Sequence, residues 1–227
     1  MPEKFGFHIG RAIWVIFCAV ALALTGQVAV AADSVAGRYR LHDGPDVASE
    51  LLLRPDGKFE YFLMAGSLDE QSSGTWQVDG GALQLTTTPK PVPAVFTAGA
   101  ASSAPDAALV LHVTDPAGNG IAAVHFTLGF DSGEPVESYT QDYGWTLDKL
   151  EQRTPRWIEF SVPIHNLQSP RFLIDLARGN EQTFVLTPND LGTVDFTNMQ
   201  IDIQPRRLIM HRYGALMRFE RSDKSGQ

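Results

Sequence analysis

The sequence predicts an all-β protein, and three observations predict it. Apolar and polar residues alternate over short runs, turn-forming residues separate the runs, and no long segment beyond residue 31 carries apolar residues at helical spacing. The expected architecture is an antiparallel meander or half-barrel followed by a β-sandwich-like block, preceded by an N-terminal signal helix.

Residues 1–31 carry Lys4 and Arg11, an unbroken apolar run from Ile13 to Leu24, then Thr25-Gly26-Gln27 and Ala29-Val30-Ala31. This is the three-part pattern of a cleavable secretory signal, with small residues one and three positions before a cut after Ala31. The run is shorter than the ~20 apolar residues needed to span a bilayer. Cys18 follows Phe17, whereas lipoprotein processing needs a small residue before the cysteine. The expectation is therefore a periplasmic or secreted protein with no transmembrane segment after cleavage. Processing removes the single cysteine, and with it any disulfide, thiol nucleophile or thiolate metal site. It also removes two of the 18 Lys+Arg and one of the 26 Asp+Glu, which takes the formal charge from −8 to −9. That balance argues against nucleic acid as a partner.

Residues 32–88 read as the meander. Tyr39 and Leu41, Leu51 and Leu53, Phe59, Tyr61 and Leu63, Trp76 and Val78, and Leu83 and Leu85 mark five period-two strands. Pro55-Asp56-Gly57 and Asp79-Gly80-Gly81 supply the turns. Residues 89–106, rich in Pro, Ala and Ser and nearly uncharged, read as a linker.

Residues 107–222 read as the sandwich-like block. Leu109, Leu111 and Val113 alternate, as do Val124, Phe126, Leu128 and Phe130, and the turn at 115–120 suggests that the two runs form a hairpin. Ile158, Phe160, Val162 and Ile164 predict another strand. Phe172, Ile174 and Leu176 are expected to face Phe184 and Leu186 across Arg178-Gly179-Asn180, and Pro188 to Asp190 to start a short helical turn. Ile201 and Ile203, Leu208 to Arg212, and Leu216 to Arg221 predict closing strands that are free to pair back onto the meander. Residues 223–227 form a tail.

The stretch from Leu109 to Trp145 resembles the carboxypeptidase-regulatory or transthyretin-like β-sandwich domains. The resemblance rests on Val113-Thr114-Asp115, the Gly118 turn, Ile121-Ala122-Ala123-Val124-His125-Phe126 and Thr140-Gln141-Asp142-Tyr143-Gly144-Trp145. Gln141 stands where that family's turn usually has Asp, and the stretch covers under a fifth of the chain. What the resemblance implies is a small antiparallel sandwich serving as a non-catalytic adjunct. The 37–85 meander is similar to the lipocalin-like half-barrels of bacterial envelope proteins.

No Gly-x-Ser-x-Gly, Ser-x-x-Lys, His-Glu-x-x-His, Gly-x-x-x-x-Gly-Lys or Gly-x-Gly-x-x-Gly motif is present. Dispersed acid pairs have no fixed sequence spacing, so a carbohydrate hydrolase acting through two carboxylates stands as the alternative to a binding module. His112 and His125, on facing strands of the expected hairpin, are two imidazoles without a third ligand, and neither metal nor cofactor is expected. Arg206, Arg207, Arg212, Arg218, Arg221 and Lys224 make the C-terminal hairpin basic and suited to an anionic lipid surface or an acidic envelope protein. The alternative for these charges is a guard against edge-to-edge aggregation. Tyr139, Tyr143, Trp145 and Trp157 crowd a charged segment and serve either as a contact surface, with Tyr143 and Trp145 foremost, or as rim packing. Asp43, Asp46, Asp69 and Glu70 read as solvated turn residues.

Overall fold

The computed structural model describes residues 35–41 and 46–222. The expected 1–31 leader and its expected cleavage point, together with Asp43 and residues 223–227, lie outside the described residues. The chain is all-β. Its meander comprises β1 (Gly37–Leu41), β2 (Val47–Leu53), β3 (Lys58–Ala65), β4 (Leu68–Asp79) and β5 (Ala82–Thr87). A middle section follows with β6 (Val95–Ser102), β7 (Leu109–Thr114), β8 (His125–Phe130), β9 (Val136–Tyr139), β10 (Trp145–Leu147) and β11 (Pro155–Val162). After a 3₁₀ turn at Pro163–His165 come β12 (Leu167–Gln168), β13 (Phe172–Leu173) and β14 (Glu181–Thr187). The chain ends in β15 (Met199–Gln204), β16 (Arg207–Arg212) and β17 (Ala215–Arg221).

The meander does not stop at a half-barrel. β17 pairs with β1 and β15 with β5, which closes an eight-stranded antiparallel barrel in the order β1-β17-β16-β15-β5-β4-β3-β2. Period two sets which residues enter it. Leu51, Leu53, Phe59, Leu83, Leu85, Ile201, Leu208, Met210 and Phe219 point inward and are almost wholly buried. Phe196 is part of the same core, with ring centroids 6.0 Å from Phe59 and 5.3 Å from Tyr61. The barrel interior is thus a packed core. Charged residues such as Arg38, Arg40, Glu60 and Arg218 take the outward positions, the reverse of the outward apolar band of a membrane-spanning barrel. No helix among the described residues is long and apolar enough to cross a membrane.

The described residues up to 90 and from 194 onward form one compact unit, and residues 91–193 form a second, inserted between β5 and β15. The second unit is a sandwich. One sheet runs β10-β7-β14-β6, with β7 and β14 parallel, and the other runs β12-β11-β8-β9, with β13 also pairing with β11. Leu109, Leu111, Val124, Leu128, Ile158, Phe160 and Phe184 fill the space between them. Gly129 lets the Trp157 indole lie down on the sheet, because a Cβ there would sit 2.0 Å from Trp157 Cε2.

Several expectations are corrected. Residues 89–106 are not a linker throughout: β6 pairs with β14, and its Phe96 stacks on Phe160 at 5.4 Å. Small uncharged side chains left the strand pattern faint, yet backbone pairing and one buried ring hold it. The block drawn as 107–222 ends near 193, because its last three strands belong to the barrel. β7 and β8 form no hairpin but lie in different sheets that share a core, and alternation looks the same in either arrangement. The intervening turn is organised by the Asp115 carboxylate, which accepts the backbone N–H of Ala117 at 2.8 Å and of Asn119 at 2.9 Å. Likewise Phe172 pairs through β11 and not with β14. Ile164 falls in the 3₁₀ turn, and residues 188–193 make turns, closed by Leu191 N–H to Pro188 and Thr193 N–H to Asp190, each 2.8 Å.

Candidate functional site

Barrel closure sorts the C-terminal arginines. Arg206 sits in the two-residue Pro205-Arg206 turn between β15 and β16, at the barrel end that also holds the β2–β3 and β4–β5 turns. Its φ of 61° is left-handed, a conformation that glycine or asparagine adopts with least strain. Arg207 is paired with Glu220 at 2.8 Å on the barrel exterior. Arg212 lies at the opposite end of β16. It is no surface cation: its guanidinium meets Glu70 with Nη1–Oε2 at 2.5 Å and Nη2–Oε1 at 3.1 Å, and Nη1 donates to the Tyr61 hydroxyl at 3.2 Å. The two side chains are only 18% and 12% exposed, so the reading of Glu70 as a solvated turn residue is overturned. Arg206, Arg207 and Arg212 therefore do not form one patch.

A different cluster replaces it. Strand pairing of β1 with β17 sets Arg221 opposite Tyr39 and Glu220 opposite Arg40, at the barrel end where Arg38 and Arg40 take the outward positions. Arg38, Arg40 and Arg221, together with Arg54 and Arg206, line a cleft of about 910 Å³, with Leu52, Leu53 and Pro55 as apolar wall. Arg221 is held by Nη2–H donating to the Ala36 carbonyl at 2.6 Å, and its backbone N–H donates to the Arg206 carbonyl at 2.8 Å. Gly37 makes room for it, since a Cβ there would lie 3.0 Å from Arg221 Nε. Burial raises the pKa of the Tyr39 hydroxyl below, against the opposing pull of Arg221. Glu50 pairs with both Arg38 and Arg40, the latter at 3.1 Å, and Glu60 pairs with Arg54. Among the described residues no carboxylate lines the cleft itself.

The aromatic residues do not converge. Tyr143 is 78% exposed at a turn, and Trp145 on β10 packs edge-on against Phe126 at 5.0 Å. Tyr139 and Trp157 belong to the other sheet, where Arg171 stacks over Trp157 at 3.7 Å. His112 and His125 are also on separate sheets. His112 bonds Glu181 at 3.1 Å, while His125 packs against Tyr139 at 6.1 Å. No group of three metal-ligating side chains occurs among the described residues.

Among the described carboxylates, those whose pKa departs from the ordinary range are lowered: Asp115 by Asn119, Asp131 by the Thr154 backbone, Glu181 by Ser102 and then His112, and Glu151 to about 2 by Arg153. A glycosidase acid needs the opposite shift. The Ser102–Glu181–His112 chain puts the carboxylate in the middle, so the serine donates to Glu181 and not to an imidazole base.

No protein-family model matches this chain, and comparison with curated proteins and with solved structures yields no significant match.

Proposed function

We propose that this is an exported, non-enzymatic binding protein whose barrel holds an anionic partner in the arginine-lined cleft. One observation carries the reading: Arg38, Arg40, Arg54, Arg206 and Arg221 converge on one cleft of a protein with net charge −8. Arginine suits phosphate and carboxylate because its planar fork donates two parallel hydrogen bonds. The leader through Ala31 supports export, which puts anionic lipid headgroups and acidic envelope proteins within reach. The inserted sandwich serves as a non-catalytic adjunct, in keeping with the family resemblance of residues 109–145. No observation favours the carbohydrate hydrolase, and the reading calls for no cofactor.

The test is co-sedimentation with phosphatidylglycerol vesicles, with phosphatidylcholine vesicles as control. Arg40→Gln combined with Arg206→Asn removes two cations, and Asn suits the left-handed turn. At about 1 kcal/mol per basic residue, affinity should fall roughly 30-fold and depend less on salt. Equal retention of the double variant and the parent would sink the assignment.

A further inference from the structure

Closure removes every edge from the barrel, so the open strand edges of the described chain lie in the sandwich. Most of these are guarded in the usual ways. β10 is three residues long, β12 and β13 are two each, and β9 is four and carries Glu137. β6 is the exception. It runs for eight residues, Val-Phe-Thr-Ala-Gly-Ala-Ala-Ser, with no charge and no proline, and five of the eight are exposed. Its one irregularity is a bulge opposite Gln182 and Phe184, beyond the regular pairing of Val95 to Ala98. β14 pairs along one edge of β6 and buried Phe96, stacked on Phe160, anchors one face, while the other edge has no strand partner among the described residues.

We propose that β6 pairs antiparallel with β6 of a second copy about a two-fold axis at Thr97, joining two four-stranded sheets into one of eight. Three features favour a second copy as the occupant. The strand is neutral, so two acidic chains meet there without opposing like charges. Centring on Thr97 keeps every residue on its own face of the sheet, as pairing with period two requires. It also sets bulk against a gap, with Phe96 facing Ala98, and puts Thr97 against Thr97, a favourable cross-strand pair. The paired segment is short, so the association is weak and concentration-dependent.

Sedimentation equilibrium of the processed protein tests this, with weight-average mass rising toward the dimer between about 5 μM and about 500 μM, the range a small interface supports. Thr97→Lys places two ammonium groups against each other on the axis and should weaken dimerisation at least tenfold, whereas Thr97→Val should retain it. A circular dichroism spectrum matching the parent's establishes that the lysine variant is folded. If it is not folded, amide exchange of the parent replaces it, with protection in Val95–Gly99 rising with concentration. A mass that stays monomeric throughout, or exchange that ignores concentration, overturns the proposal.

Discussion

Replacing Glu70 by Gln would test whether the Arg212 pair fastens one end of the barrel. β4 and β16 are not neighbours, since β15 and β5 lie between them, so this pair ties strands that the ladder leaves apart. Glutamine keeps the shape but removes the charge and leaves a single acceptor for a guanidinium that now meets two oxygens at 2.5 and 3.1 Å. Breaking a fully buried pair costs about 3–5 kcal/mol. The residual exposure of 18% and 12%, and the Tyr61 hydroxyl that stays within reach, reduce this to roughly 2–3 kcal/mol. Urea unfolding followed by tryptophan fluorescence, with a Trp76→Phe parent identifying the part of the signal that comes from the barrel core, reads the loss. Exchanging both partners, Glu70→Leu with Arg212→Met, should destabilise less than Glu70→Gln alone, because no cation is then left uncompensated. If Glu70→Gln stays within about 0.5 kcal/mol of the parent, the pair is solvated in practice and the reasoning fails.

Two more expectations concern the cores. Burial raises the pKa of Tyr39, Tyr61 and Tyr213, and for Tyr213 the hydrogen bond it donates to Glu70 adds to the effect. A hydroxyl held neutral by folding contributes stability that is complete below the ordinary tyrosine value near ~10 and lost as pH rises through the folded value. Denaturation midpoints should therefore fall steeply above about pH 10, and the fall should be shallower in Tyr213→Phe; a flat profile would contradict the burial. Gly129→Val drives side-chain atoms into the Trp157 ring, which a Cβ already meets at 2.0 Å. Calorimetry should show about 1–3 kcal/mol lost in the sandwich transition, and unchanged melting would show that the indole has room to move.

The strands of the meander were legible because they are local: period two and Gly-containing turns are written within a dozen residues of each other. That the last strands were free to pair back onto the meander was legible, but which strand meets which was not, because alternation names a strand's buried face and not its neighbour. That gap explains most of the corrections. Arg38 and Arg40 flank Tyr39 at outward positions, a signal visible in the sequence, but only the closed barrel sets them at the end where Arg206 and Arg221 line the same cleft. Lacking that strand pairing, contiguity in sequence favoured Arg206, Arg207 and Arg212, which six residues of extended chain carry to opposite ends of the barrel. Glu70 looked like a turn residue for the same reason, since its partner is 142 positions away. β7 and β8 show the sandwich version of this ambiguity.

Building the barrel from both sides of an insertion also sets an order of events. Five of its strands are synthesised first, and the three that complete it come only after roughly 110 further residues, on the order of ten seconds of translation. Through that interval β1 and β5 have no partners on their outer sides, while the intervening segment already contains all the strands of its own sandwich. The inserted unit can therefore reach its final form before the unit that surrounds it in sequence. A nascent chain stalled before Met199 would present a half-made sheet with two bare edges, the kind of surface that a holding chaperone is suited to mask.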